Sequence, residues 1–239
     1  MDPALEILLK KERSLWRGRD QYYVRDTIPT GHKALDNSLP SGGWNLGTLT
    51  ELLIADDGIG EFSLLLPALR KITTNNQWAA LINPPYVPYA PALATAGLNL
   101  EHLLVINTED DTDTLWSAEQ LLRSGTFQVV IFWINNTRKA SNSNSFRRLQ
   151  LAAEHAGAWA VAYRNIADAK QHSSAALRIC LQAVCFSDSP SDPTENGLQL
   201  DLIKVRGGTT GRLVITASEF DAFQGIEWPG DQCHADSAL

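Results

Sequence analysis

Residues 30–62 read TGHKALDNSLPSGGWNLGTLTELLIADDGIGEF. Inside this stretch Leu49–Leu53 is a short, β-rich apolar run, followed by the turn Gly58-Ile59-Gly60 and then by an apolar stretch that predicts a helix over Glu61–Thr74. A strand that passes through glycines straight into a helix opens a βαβ unit. The chain repeats that alternation, with further strands predicted at Trp78–Ile82, Leu103–Ile106, Val129–Ile134, Trp159–Tyr163, Ile179–Phe186, Leu198–Val205 and Leu213–Thr216. Helices are predicted at Ala90–Ala96, Asp113–Arg123 and Ser145–Gly157. Several strand candidates are apolar on consecutive positions, as strands are when helices cover both faces of a sheet. The expected fold is α/β: a mainly parallel β-sheet flanked by helices. The last two strands flank Gly207–Gly211, which reads as a hairpin turn and not a phosphate loop, because no helix follows it.

Composition narrows the function classes. The chain has 239 residues, 44% of them hydrophobic, and a formal net charge of −7. Five of its carboxylates fall in residues 217–239, which carry no Lys or Arg, so the body is close to neutral. A near-neutral body argues against strong non-specific DNA binding, which needs clustered positive charge. Cys180, Cys185 and Cys233 form no CxxC pair and fit free thiols in a cytoplasmic setting. Residues 72–100 lack charge, but Pro84, Pro85, Pro88 and Pro91 argue against a membrane-spanning helix there. The five histidines show no metal-ligand spacing, and the acidic run Glu109–Asp113 reads as a helix start, not as a calcium loop. No cofactor or metal is expected.

Thr30, Gly31, Leu35, Asp36, Leu39, Gly42, Gly43, Gly47 and Glu51 match the approach to the nucleotide site in RecA-type recombinases. In an active ATPase of that family the first strand opens into GxxxxGK[ST], whose amides cradle phosphates while the Lys and hydroxyl handle charge and magnesium. The turn here resembles a degenerate P-loop. Glu61 falls in the Lys position and Phe62 in the Ser/Thr position. By the same resemblance Pro85 replaces the water-activating Glu, and Trp133 replaces the magnesium-associated Asp that closes the fourth strand. These substitutions remove charges that phosphoryl transfer uses together, so the chain is expected not to be an enzyme.

The helix Leu64–Leu69, the Trp78 strand, the segment from Pro84 to Leu98 and the run Arg123–Ile131 are similar to two families. These are the ImuA proteins associated with translesion synthesis and the shorter SulA-type inhibitors of cell division. The element Trp16-Arg17-Gly18, the segment Thr30–Gly47 and the late Arg206-Gly207-Gly208 favour the ImuA resemblance. That resemblance implies a non-catalytic accessory of SOS-induced mutagenesis. Its implied partners are RecA, an ImuB-like Y-family polymerase homologue and, indirectly, an error-prone replicative-type polymerase. The alternatives are a SulA-type inhibitor binding FtsZ and a residual nucleotide-dependent DNA-binding ATPase.

Three surfaces are candidates for contact. Lys10, Lys11, Arg13, Trp16 and Arg17 lie on a short amphipathic N-terminal helix that could dock on a partner or pack on its own domain. Arg138, Lys139, Phe146, Arg147 and Arg148 are read as part of the loop Asn135–Arg148 after the fourth strand, where positive charge with an aromatic could hold single-stranded DNA, meet a partner's acidic face or simply be solvated. Phe220, Phe223 and Trp228 sit in the acidic tail, as docking anchors or as cover for an apolar patch on the same domain. The expected organisation is an N-terminal helix and linker over 1–25, a RecA-like core over 26–216 with a SulA-like segment at about 49–165, and a tail over 217–239.

Overall fold

The computed structural model describes residues 26–134, 143–186 and 195–220. Its centre is an eight-stranded sheet in the order β10-β9-β8-β3-β7-β6-β4-β5. The strands are β3 (Thr48–Ile54), β4 (Trp78–Ile82), β5 (Leu103–Ile106), β6 (Phe127–Trp133), β7 (Trp159–Asn165), β8 (Leu177–Phe186), β9 (Glu195–Val205) and β10 (Gly211–Thr216). From β5 across to β8 every pairing is parallel; β8, β9 and β10 are joined antiparallel. The expected mainly parallel α/β sheet is therefore present, with an antiparallel extension on one side.

A two-stranded ribbon, β1 (Thr27–Ile28) and β2 (Trp44–Asn45), leads into β3 together with helix α1 (Lys33–Ser38). These short elements lay below the reach of periodicity. The approach segment is held by its own side chains: the Thr30 amide donates to Asp36 Oδ1 at 2.9 Å, and the Trp44 ring stacks on Trp159 at 4.9 Å. Gly31, at φ +88°, lies so close to Pro67 that a Cβ would sit 2.4 Å from the proline Cβ, so glycine is required both by conformation and by space.

All seven residues of β3 are buried, because alternate side chains enter two different cores. Leu52 and Ile54 pack with α2 (Leu66–Thr74) and with Leu81, Ile131 and Val161. Leu49 packs on the other face with Ala80, Val130 and Ala160, against α4 (Asp111–Ser124) and α5 (Ser143–Ala156). Between β4 and β5 lies α3 (Ala90–Thr95). Helix α4 starts where Asp110 accepts from the Asp113 amide at 2.9 Å and ends at left-handed Gly125.

Two aromatic expectations change. Phe146 is 4% exposed and packs in the core of the α4/α5 face, with the Arg164 guanidinium 4.3 Å above its ring, so it presents no face to a nucleic-acid base. Phe220 is 6% exposed, belongs to the other core and meets His32 edge-on at 5.0 Å. Burial of that ring carries the packed core past residue 216, and the reading of Phe220 as a docking anchor gives way to its role as cover for its own domain.

Candidate functional site

Because β3, β4, β6 and β7 are parallel, their C-terminal ends share one edge of the sheet, where open α/β folds form ligand crevices. Glu61, Phe62, Pro85 and Trp133 all follow or close these strands. The topology thus gathers the positions that sequence reasoning singled out. Their chemistry differs from that of a phosphate site.

The turn after β3 runs through left-handed Gly58 (φ +83°) and Gly60 (φ +89°) into a 3₁₀ turn, Ser63–Leu65, and then α2. Turns of this kind direct backbone N–H groups at an anion. Here the anion belongs to the chain itself: the Gly58 amide donates to Glu61 Oε1 at 3.1 Å, and Glu61 is only 7% exposed. Its backbone is fixed from the other side by the Tyr163 hydroxyl, which donates to the Glu61 carbonyl oxygen at 2.9 Å.

Aromatic rings occupy the adjoining space. Trp133, 5% exposed, stacks on Tyr163 with centroids 4.8 Å apart and planes 11° from parallel, and Phe62 tilts against Trp133 at 6.1 Å. Burial, and secondarily the Glu61 carboxylate, push the Tyr163 phenol well above its ordinary pKa, so it remains a neutral donor. A pocket of about 170 Å³ remains beside these rings, lined by residues that include Asp57, Trp133, Tyr163 and Arg164. That volume is below the roughly 300–1,000 Å³ of typical small-molecule sites. Pro85 is exposed after β4 and carries no carboxylate toward the crevice, while Asp56 and Asp57 add exposed acids to the turn.

A second constellation escaped the sequence reading. Glu51 in mid-β3 is fully buried, and its carboxylate accepts from Arg164 Nη1 (3.1 Å), Arg178 Nε (2.8 Å) and Ser173 Oγ (2.5 Å). Arg164 also pairs with buried Asp168 at 3.1 Å. The two carboxylates and two guanidinium groups balance in charge and tie β3 to β7 and β8. Register across parallel strands brings these residues together, and only the regularly placed Glu51 within an apolar run hinted at it.

The other candidates fall in different places. Lys10, Lys11, Arg13, Trp16, Arg17, Phe223, Trp228, Arg138 and Lys139 lie outside the described residues. Arg147 is exposed near the start of α5. Arg148 is exposed too, yet its guanidinium is engaged at 2.9 Å by Glu119, which also holds Arg123 at 2.7 Å.

Residues 47–160 match the family model described as the cell division inhibitor SulA. The chain is also 29% identical over 105 residues to the RecA protein of Bacillus subtilis strain 168, covering 44% of this chain and 30% of that protein. The corresponding match to RecA of Bacillus pumilus is 28% over 135 residues, covering 54% and 39%. RecA of Xanthomonas axonopodis pv. citri matches at 29% over 106 residues, covering 44% and 30%. Over these segments the chain is similar to RecA and to the SulA family model. This RecA-like chain spans between about a third and two fifths of the length of the recombinases it matches. Its core retains the sheet and the strand-turn-helix entry of such a fold, with Glu61 and Trp133 in the crevice.

Proposed function

We propose that this chain is a non-catalytic, cytoplasmic accessory of SOS-induced translesion synthesis that works by stoichiometric contacts with RecA and an ImuB-like Y-family polymerase homologue. An error-prone replicative-type polymerase then benefits indirectly. One observation carries the non-catalytic part: the Glu61 carboxylate, on the Gly58 amide at 3.1 Å, stands where an incoming phosphate would need those donors. A triphosphate entering the turn would meet Glu61, Asp56 and Asp57, with no cation within that turn to offset them. Kinship with RecA and the ImuA-like segments supply the direction of the accessory reading.

The test is deletion of the gene followed by measurement of damage-induced mutation frequency. The reading expects a clear fall that the wild-type chain restores, while filamentation of damaged cells stays normal; unchanged mutagenesis contradicts it. A second reading, inhibition of division through FtsZ, is favoured by the SulA match over residues 47–160. It expects overproduction to block septation.

A further inference from the structure

The turn between β3 and α2 has a consequence beyond loss of hydrolysis. We infer that Glu61 is a built-in anion that holds this turn permanently in the conformation an external phosphate would otherwise have to stabilise. The inference rests on the non-catalytic reading of the same turn and adds a regulatory property: the shape of this crevice is independent of nucleotide.

Three observations combine. Gly58 and Gly60 both adopt left-handed backbone, and in this turn the Gly58 amide is aimed at a carboxylate oxygen. The carboxylate that accepts this bond is covalently attached, belongs to a residue only 7% exposed, and is positioned at both ends, by Gly58 on the side chain and by the Tyr163 hydroxyl on the backbone. Its second oxygen, Oε2, is buried with no hydrogen-bond partner among the described residues, which is a costly arrangement for a residue serving only to connect a strand to a helix. A tethered carboxylate acts at a raised effective concentration, so phosphate and nucleotides meet competition as well as charge repulsion at this turn.

Removing the tethered anion should therefore expose a latent site for an untethered one. The full chain and the variants Glu61→Ala and Glu61→Ser are compared by thermal unfolding in phosphate and in chloride of equal ionic strength. Linkage to a site of about 1 mM in a domain of this size predicts a saturable rise of roughly 5–9 °C in about 50 mM phosphate for each variant that folds, and for the wild type only the non-saturable rise that phosphate gives any folded protein. Variants that ignore phosphate, or a wild type that responds equally, would overturn the inference and leave Glu61 as a simple turn cap.

Hydrogen exchange of the Gly58 amide in the wild type gives an independent reading that needs no variant. Slow exchange, unchanged by phosphate, is expected; rapid exchange, or slowing on addition of phosphate, contradicts a permanently occupied turn. Mutation frequency enters neither measurement, so failure of the accessory role and failure of this inference are separable.

Discussion

Replacing Glu51 with Gln removes one charge from a fully buried group of four while leaving the side-chain volume nearly unchanged. Deleting one partner of a buried pair ordinarily costs about 3–5 kcal/mol, because the remaining charge is left uncompensated. The lower end applies here. Arg178 keeps three backbone acceptors, the carbonyls of Asp168, Ala169 and Gln171, and Arg164 keeps Asp168. A loss of about 3 kcal/mol corresponds to a fall in Tm of roughly 6–12 °C for a domain of this size. Urea unfolding should show the same loss with an unchanged m-value. The double variant Glu51→Gln/Arg178→Met leaves Arg164 paired with Asp168 and restores charge balance. It should therefore be more stable than the sum of the two single losses predicts, by about 1–3 kcal/mol. A Glu51→Gln protein within about 0.5 kcal/mol of wild type, or a double variant that is simply additive, would refute the view that this network operates as a balanced unit.

Three further outcomes follow from particular contacts. Phe220→Ala should cost about 3 kcal/mol in chemical denaturation, because its ring is buried against His32; an unchanged midpoint would return Phe220 to the solvated tail. Burial lowers the His32 pKa, with Glu219 and Asp36 partly opposing, and neither ring nitrogen has a hydrogen-bond partner among the described residues. The unfolded chain then takes up more protons than the folded one as pH falls below the ordinary value of 6.5. Stability contributed by neutral His32 is present above that pH and lost on acidification towards the folded pKa; His32→Phe should flatten this part of the Tm-against-pH curve, and identical slopes would contradict it. The double variant Glu61→Lys/Phe62→Thr should still fail to hydrolyse ATP, since Pro85 and Trp133 remain; phosphate release above background would show that the crevice needs only its first two groups.

Much of the sheet was legible because a strand buried on both faces is mostly apolar at successive positions, as Val129–Trp133 and Ala79–Ile82 show. The glycine turn was legible because only glycine accepts the left-handed backbone of residues 58 and 60 without strain. The substituted positions Glu61 and Trp133 could be placed in one crevice because each is counted from a strand end. The direction in which their side chains turn is a tertiary property, and nothing local announces that Glu61 folds back onto Gly58 or that Trp133 stacks on Tyr163.

The same distinction explains the aromatic reversals. Phe146 stands three residues before Leu149 and seven before Ala153, a helical stripe that could have assigned it to the core; the basic neighbours Arg147 and Arg148 drew it instead to the preceding loop. Phe220 had no such stripe. Its partner His32 lies far away in sequence, and acidic residues on either side resemble a solvated tail. The Glu51 network was hidden for a related reason, since parallel register, and not spacing, places Arg178 beside it.

Recovery of the tagged full-length chain from DNA-damaged cells, with its bound proteins identified by mass spectrometry, tests the proposed role most directly. RecA together with a Y-family polymerase homologue is the result expected of an accessory acting by contact. FtsZ in their place would contradict it and make division control the function of this RecA-like chain.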